Sequence, residues 1–295
     1  MKLNESITGR TKLLGLLGNP VGHSVSPQLH NTLSALLGID AVYIPVKVEK
    51  DRLGEMVGGL KAGNFTGFNV TIPFKEDILK YVDHVTDEVR LVGSANTVRN
   101  TGGALYASNT DGDGFCRSFE EETESSFKGK KVVILGAGGT SRSLAAKIAS
   151  KGAHGLRIIN RTREKAESIA SMIRGEYALA CETAGFEDKA LLGKIIENSD
   201  IILNTTSVGL YPNIDESPLE DHLKFNQGQI IYDVIYNPMK TKLLRQAEDC
   251  GCKTVNGLGM LFYQGVLSYE TWMDLKIPGP VLRELYAEFS KYLFK

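Results

Sequence analysis

A strand-like run, Val132-Val133-Ile134-Leu135, is followed at once by Gly136-Ala137-Gly138-Gly139-Thr140-Ser141. An unbroken apolar run of this kind reads as a buried parallel strand. Glycines at its end let the backbone approach a pyrophosphate at the positive N-terminus of the following helix. The pattern departs from G-x-G-x-x-G at its third glycine, which is Ser141. One strand further on, dinucleotide sites for NAD carry an acidic residue that holds the ribose 2′-hydroxyl. Here the sequence has Asn160-Arg161-Thr162-Arg163 instead. Two guanidinium groups and a hydroxyl suit a 2′-phosphate, which a carboxylate would repel. Thr162 also fits as a helix cap, and both roles can hold together.

A second set of polar residues lies in the first third of the chain. Ser24 and Ser26 flank Val25, with Pro27 next. A serine before a proline reads as an N-cap with proline at the first helical position, so Ser26 is expected to cap a helix and Ser24 is the more open hydroxyl. Asn69 and Thr71 are two apart at a strand end and so share a face. Lys75 follows Pro73; taken alone, such a lysine is a solvated surface residue. Asp111 sits in Asn109-Thr110-Asp111-Gly112, where an aspartate ordinarily bonds its own backbone. The spacing Asn109-x-Asp111-x-Asp113-Gly114 with Glu120 imitates a calcium loop. An Asn in the first place and a strand-like entry argue against calcium, and no metal is expected.

The elements that position these residues alternate along the chain. Strands are predicted at Leu13–Leu17, Tyr43–Val48, Phe68–Ile72, Leu156–Ile159, Ile201–Leu203 and Ile230–Val234, with a hairpin of Thr97–Val98 and Leu105–Ala107 about Gly102-Gly103. Helical spacing joins Leu29, Leu33, Leu36 and Leu37; then Leu144, Ala145 and Ile148; then Ala166, Ile169, Ala170 and Ile173. Glu120-Glu121-Glu122 with Glu124 reads as a solvated run at a composition shift. The last fifty residues read as helices over Leu258–Trp272 and from Pro280, with Leu282, Leu285 and Phe289 on one face. Such alternation implies α/β architecture with a doubly wound parallel sheet.

The 295 residues suffice for one large domain or two ordinary ones. Thirty-four basic against 35 acidic residues leave a net charge of −1, without the basic excess that nucleic acid or a membrane surface would require. Four cysteines are too few for a disulfide scaffold, and Cys250-x-Cys252 has no second ligand pair near it. No signal peptide or membrane span is visible, so reduced thiols and a cytoplasmic location are expected.

Several blocks together carry a resemblance. They are Gly18-Asn19-Pro20-Val21-Gly22-His23-Ser24-Val25-Ser26-Pro27, Asn69-Val70-Thr71-Ile72-Pro73-Phe74-Lys75, Gly93-Ser94-Ala95-Asn96-Thr97 and Asn109-Thr110-Asp111-Gly112. The glycine turn, Asn160-Arg161-Thr162, Asn204-Thr205-Thr206-Ser207-x-Gly209 and Gly257-x-Gly259-Met260-Leu261-x-x-Gln264 continue in order. The sequence resembles the shikimate dehydrogenase family over nearly its whole length.

The resemblance implies a reversible NADPH-dependent reduction of 3-dehydroshikimate to shikimate, in the pathway to chorismate and the aromatic amino acids. It implies that Ser24 and Ser26 hold the substrate carboxylate, that Thr71, Asn96 and Gln264 read ring hydroxyls, and that Lys75 and Asp111 are the catalytic pair. Tyr236 and Met260 would lie near substrate and nicotinamide. Gly136, Ala137, Gly138 and Gly139 would cradle the pyrophosphate, Asn160, Arg161 and Thr162 would take the 2′-phosphate with Lys165 as a looser basic contact, and Gly257 would border the cofactor. The implied organisation is a shikimate-binding α/β domain over 1–111, a Rossmann-like NADP domain over 112–255, and C-terminal helices over 256–295 that complete the first, with the active site in the cleft between domains. A monomer or homodimer with small-molecule partners only is expected. The alternatives are a quinate/shikimate enzyme, possibly with NAD, and a non-catalytic relative that senses such metabolites.

Overall fold

The computed structural model describes residues 7–293. The chain divides into two compact units, one made of the residues up to Thr110 and from Gln264 on, the other of Asp111–Tyr263.

The first unit is built on β1 (Lys12–Gly18), α1 (Ser26–Leu37), β2 (Ala41–Lys47), α2 (Leu53–Ala62), β3 (Gly67–Val70), β4 (His84–Val85), α3 (Asp87–Val92), β5 (Thr97–Thr101) and β6 (Ala104–Ser108). Its six strands run in the order β2-β1-β3-β5-β6-β4. β1 pairs in parallel with β2 and β3, whereas β5 is antiparallel to β3 and β6. The sheet is therefore mixed, and the Gly102-Gly103 hairpin is the reason: a short turn can join only antiparallel strands. One face buries Leu17, Phe68, Val70, Phe74, Ile78, Val98 and Leu105 with Leu53, Val57 and Leu60 of α2. Elsewhere in the unit His30, Tyr43, Tyr269 and Trp272 stack together. Gly67 is required there, because a Cβ would run into the Trp272 indole.

The second unit contains α4 (Asp111–Thr123), β7 (Lys131–Leu135), α5 (Gly139–Ser150), β8 (Gly155–Ile159), α6 (Arg163–Tyr177), β9 (Cys181–Ala184), α7 (Lys189–Glu197), β10 (Ile201–Asn204), β11 (Ile230–Asp233), α8 (Lys242–Asp249) and β12 (Lys253–Val255). Helix α9 (Leu258–Met273) spans the division, and α10 (Gly279–Leu293) ends the described chain. The strand order is β12-β11-β10-β7-β8-β9, parallel throughout. The order reverses between β7 and β10. In such sheets a ligand crevice forms outside the C-terminal ends of the strands at that point.

Two sequence readings are corrected. The acidic run Glu120–Glu122 is the last turn of α4, and Asp111 starts that helix rather than a free turn. Phe115, Cys116 and Phe119 form its buried face, which Gly112, Gly114 and the charges disguise. Asp111, Asp113 and Glu120 thus all belong to one helix, so their spacing is not that of an ion-binding loop. Ser26 is not the cap of α1: that position is Val25, with no side-chain cap bond, and Ser26 is itself the first helical residue.

Candidate active site

In the first unit, the candidate substrate residues rest on a buried floor of neutral hydrogen bonds. Asn69, on the fully buried strand β3, donates from Nδ2 to the Asn96 carbonyl and to Ser268 Oγ, both at 3.0 Å. Its Oδ1 accepts the Tyr43 hydroxyl at 2.9 Å. Burial raises the Tyr43 pKa, an effect that the Ser26 side chain opposes. Asn96 Oδ1 accepts the Thr110 N–H at 2.9 Å, while its Nδ2 donates to Thr110 Oγ1 at 3.0 Å and to Gln264 Oε1 at 3.3 Å. Ser268, one helical turn beyond Gln264, donates to the Gln264 carbonyl at 2.9 Å and bonds Thr97 Oγ1 at 2.7 Å. Asn96 and Gln264 are thereby brought together. Tyr43 and Ser268 carry no sequence signal as site residues, and Thr97 enters only as the end of the Gly93–Thr97 block, with no role of its own. They are ordinary polar types on three separate elements.

The segment after β3 is pinned at both ends. Thr71 N–H donates to the Leu17 carbonyl at 2.9 Å, and its methyl group fills the space that glycine leaves at position 18. Phe74 is fully buried and anchors the turn. The next residue, Lys75, accepts the Ala95 N–H at its carbonyl at 2.8 Å and is only half-buried. Ser24 Oγ accepts the Ser26 N–H at 3.3 Å.

In the second unit, the glycine turn joins β7 to α5 at the reversal of strand order. Gly136 has φ +106°, and a Cβ there would stand 2.8 Å from Thr205 Oγ1, so only glycine fits. No protein atom lies within 4 Å of where a Cβ would stand on Gly138 or Gly139. Ser141, in place of the third glycine, has a defined job. Thr205 Oγ1 donates to the Leu135 carbonyl at 2.7 Å, so Ser141 donates to Thr205 at 2.7 Å while accepting the Gly138 N–H at 3.0 Å. The serine therefore locks the first turn of α5 to the end of β10.

A second lock lies at the end of β11. The fully buried carboxylate of Asp233 accepts from Asn204 Nδ2 at 3.0 Å, the Ile235 N–H at 3.1 Å and the Thr241 hydroxyl at 2.8 Å. Burial nonetheless pushes its pKa up to about 6. Asn204 Oδ1 in turn accepts the N–H and hydroxyl of Thr206. Tyr236 is half-buried, and burial raises its pKa. At position 257 a Cβ would run into the Val234 carbonyl, and Met260 is buried beyond it.

At the end of β8, Asn160 Nδ2 donates to the Thr162 carbonyl at 2.9 Å. Thr162 is the N-cap of α6 but makes no side-chain cap bond, so its hydroxyl is not engaged in the role the sequence offered it. Arg161 and Lys165 are exposed. The bare glycines, the first turn of α5 and the basic turn before α6 fit a dinucleotide phosphate chain with an added 2′-phosphate. Among the described residues no three His, Cys, Asp or Glu side chains are grouped to hold a metal ion, all four cysteines are free thiols, and no helix is long and apolar enough to cross a membrane.

Fold and site together define an α/β chain with a doubly wound dinucleotide-binding unit and a second unit that presents neutral polar groups. Residues 16–98 match the family model for the shikimate dehydrogenase substrate binding domain, and residues 119–242 match that for shikimate / quinate 5-dehydrogenase. A shikimate dehydrogenase (NADP(+)) of Alkaliphilus oremlandii is 41% identical over 273 residues, 92% of this chain and 95% of that protein. The structure of shikimate 5-dehydrogenase from Listeria monocytogenes, in complex with shikimate and NAD, is similar with a TM-score of 0.90 and 37% identity, covering 96% of this chain and 99% of that one. That of the Thermus thermophilus enzyme, in complex with NADP(H) and shikimate, has a TM-score of 0.82 at 29% identity and covers 95% and 100%. The chain belongs to the shikimate dehydrogenase family.

Proposed function

We propose that this protein is an NADP-dependent shikimate dehydrogenase, which reduces 3-dehydroshikimate to shikimate reversibly. The observation that carries the reading is a likeness that runs through both units, at 41% identity over 92% of the chain, to an enzyme of that activity. Ser24 and Ser26 bind the substrate carboxylate, and Thr71, Asn96 and Gln264 bind ring hydroxyls, with Tyr236 beside the substrate. Gly136, Ala137, Gly138 and Gly139 receive the pyrophosphate; Asn160, Arg161, Thr162 and Lys165 receive the 2′-phosphate; Gly257 and Met260 border the nicotinamide.

When bound, NADPH supplies the hydride for the carbonyl carbon. Lys75 gives a proton to the oxygen and stabilises its developing negative charge, and then regains a proton from solvent. Asp111 serves to position Lys75. In the reverse direction neutral Lys75 takes the hydroxyl proton. The two units are the shikimate-binding and NADP-binding domains, and the enzyme works in the cytoplasm as a monomer or homodimer.

The test is a spectrophotometric assay with shikimate and quinate against NADP and NAD. Shikimate with NADP is expected to be the preferred pair, and a preference for quinate or NAD would overturn the reading. Arg161→Ala is expected to raise the KM for NADP about tenfold, because a hydrogen bond to a charged group is worth roughly 1.5–3 kcal/mol, and to leave that for NAD nearly unchanged. Equal losses with both cofactors would remove Arg161 from the 2′-phosphate site.

A further inference from the structure

The two arginines beside Thr162 are held differently. Arg161 is exposed, and no hydrogen bond or ion pair holds its side chain among the described residues. Arg163, the first residue of α6, places Nε and one terminal nitrogen 3.1 and 2.6 Å from a single oxygen of Glu187. Glu187 lies between β9 and α7, and β9 is the sheet neighbour of β8, whose end leads into Asn160–Arg163. The carboxylate is therefore a negative charge beside the basic turn. Its own backbone N–H, and then Arg163, hold its pKa below the usual range.

The chain makes room for this arrangement. A Cβ at position 185 would run into the Glu187 carboxylate. Gly185 does not have a left-handed φ, and with no side chain of its own it leaves the Glu187 carboxylate free to take this position. The side chain of Glu187 folds back over it toward Arg163.

We propose that Glu187 is a specificity-determining residue of the cofactor site: it engages Arg163 in an ion pair and so withholds one of two guanidinium groups from the 2′-phosphate. The proposal rests on the reading of Asn160–Arg163 as the segment that receives that phosphate. A guanidinium already paired with a carboxylate offers a second anion less net attraction. Affinity for NADP is then set below what two free arginines would give, and affinity for NAD, which lacks the 2′-phosphate, is untouched.

The experiment measures dissociation constants of NADP and NAD for the whole protein and its Glu187→Gln, Arg163→Gln and Glu187→Gln/Arg163→Gln variants, at low and high salt. Both side chains are well exposed, at 68% and 59%, so none of these changes threatens the fold. Glu187→Gln is expected to tighten NADP about two- to fivefold, the range of an exposed ion pair, with the gain screened at high salt. NAD binding is expected to stay the same. In the Arg163→Gln background the gain is expected to vanish. A Glu187→Gln protein with unchanged NADP affinity, or with both cofactors shifted alike, would overturn the proposal. So would a gain that survives in the double variant, because Glu187 would then act by direct repulsion. Arg161→Ala separates the layers: if it leaves NADP affinity intact, the phosphate segment itself is misread, whereas a loss there with a silent Glu187→Gln defeats only the role of Glu187.

Discussion

The first unit fixes its site by saturation: Asn69, Asn96, Thr110 and Ser268 are buried and bonded to one another through neutral groups. The second unit fixes its site by exposure: Gly138 and Gly139 leave the start of α5 bare, and Arg161 stands in solvent. A polyhydroxylated ring of one charge is recognised by donors and acceptors held in fixed directions, and a saturated network supplies those because no member turns without breaking another bond. A dinucleotide carries several phosphate charges, for which backbone N–H groups and cations suffice. Substitutions among these polar residues of the first unit should therefore move shikimate constants and the chemical step, and those in the glycine turn and Asn160–Arg163 NADP constants.

Lys75→Ala tests that division most severely. Loss of a positioned acid–base group lowers turnover by roughly 10²–10⁴-fold. The expected result is a fall of that order in kcat, a much smaller change in shikimate KM and no change in NADP affinity, the pattern of an interaction made in the transition state. Steady-state kinetics at saturating NADP check it. A variant within a few-fold of the parent would move proton transfer away from Lys75, with His23, beside Ser24, the next candidate.

The units also answer pH in opposite senses. His30, fully buried among Tyr43, Tyr269 and Trp272, has no hydrogen-bonding partner for either ring nitrogen, and burial lowers its pKa from 6.5 to about 3, against the opposing effect of the Asn69 side chain. The unfolded chain thus binds a proton that the folded one refuses. Stability that is present above pH 6.5 is lost as pH falls, by about 2 kcal/mol at pH 5. Asp233 is the reverse case: its pKa is raised from 3.8 to about 6, chiefly by burial. Its contribution is fully present below pH 3.8 and lost as pH rises through 6, by up to about 3 kcal/mol. On going from pH 7 to pH 5, His30→Phe is expected to gain stability relative to the parent, and Asp233→Asn to lose its relative advantage. Thermal unfolding across that range checks both. Trp272 is the single tryptophan, 5.2 Å from the His30 ring, so its fluorescence reports the first unit directly. Shifts of the same sign in both variants would refute the contrast.

The sequence exposes the second unit better than the first. Val132–Leu135, the glycines and Asn160-Arg161-Thr162 are contiguous, and each carries its physical meaning in its own neighbourhood. The strands Leu156–Ile159 and Ile201–Leu203 appear for the same reason: buried parallel strands are unbroken apolar runs. Helix α4 was hidden because Asp111, Gly112 and Gly114 imitate a turn, while the face that defines it is only Phe115, Cys116 and Phe119. The floor under Asn96 and Gln264 was hidden for a deeper reason. Tyr43, Asn69, Thr97 and Ser268 meet only after β2, β3, β5 and α9 have packed, and no local pattern encodes that meeting.

The finest test of the saturated floor lies in its two serines. Asn69 Oδ1 can only accept, so the single proton of the Tyr43 hydroxyl is committed to it. The Ser26 hydroxyl, which acts on the same phenol, can then interact with it only as a donor. A carboxylate that calls on Ser26 competes with Tyr43 for that proton, whereas the proton of Ser24, whose oxygen merely accepts the Ser26 N–H, has no such rival. Ser24→Ala is therefore expected to raise shikimate KM more than Ser26→Ala, with NADP affinity unchanged in both. Stability follows the same order. Ser24 holds a backbone N–H at the start of α1, and its loss is expected to cost about 0.5–1 kcal/mol. Ser26 caps nothing, so Ser26→Ala is expected to stay within about 0.5 kcal/mol of the parent. Paired KM and thermal-unfolding measurements decide the point: a larger loss in both for Ser26→Ala would show that its proton faces the substrate and that Tyr43 is held by Asn69 alone.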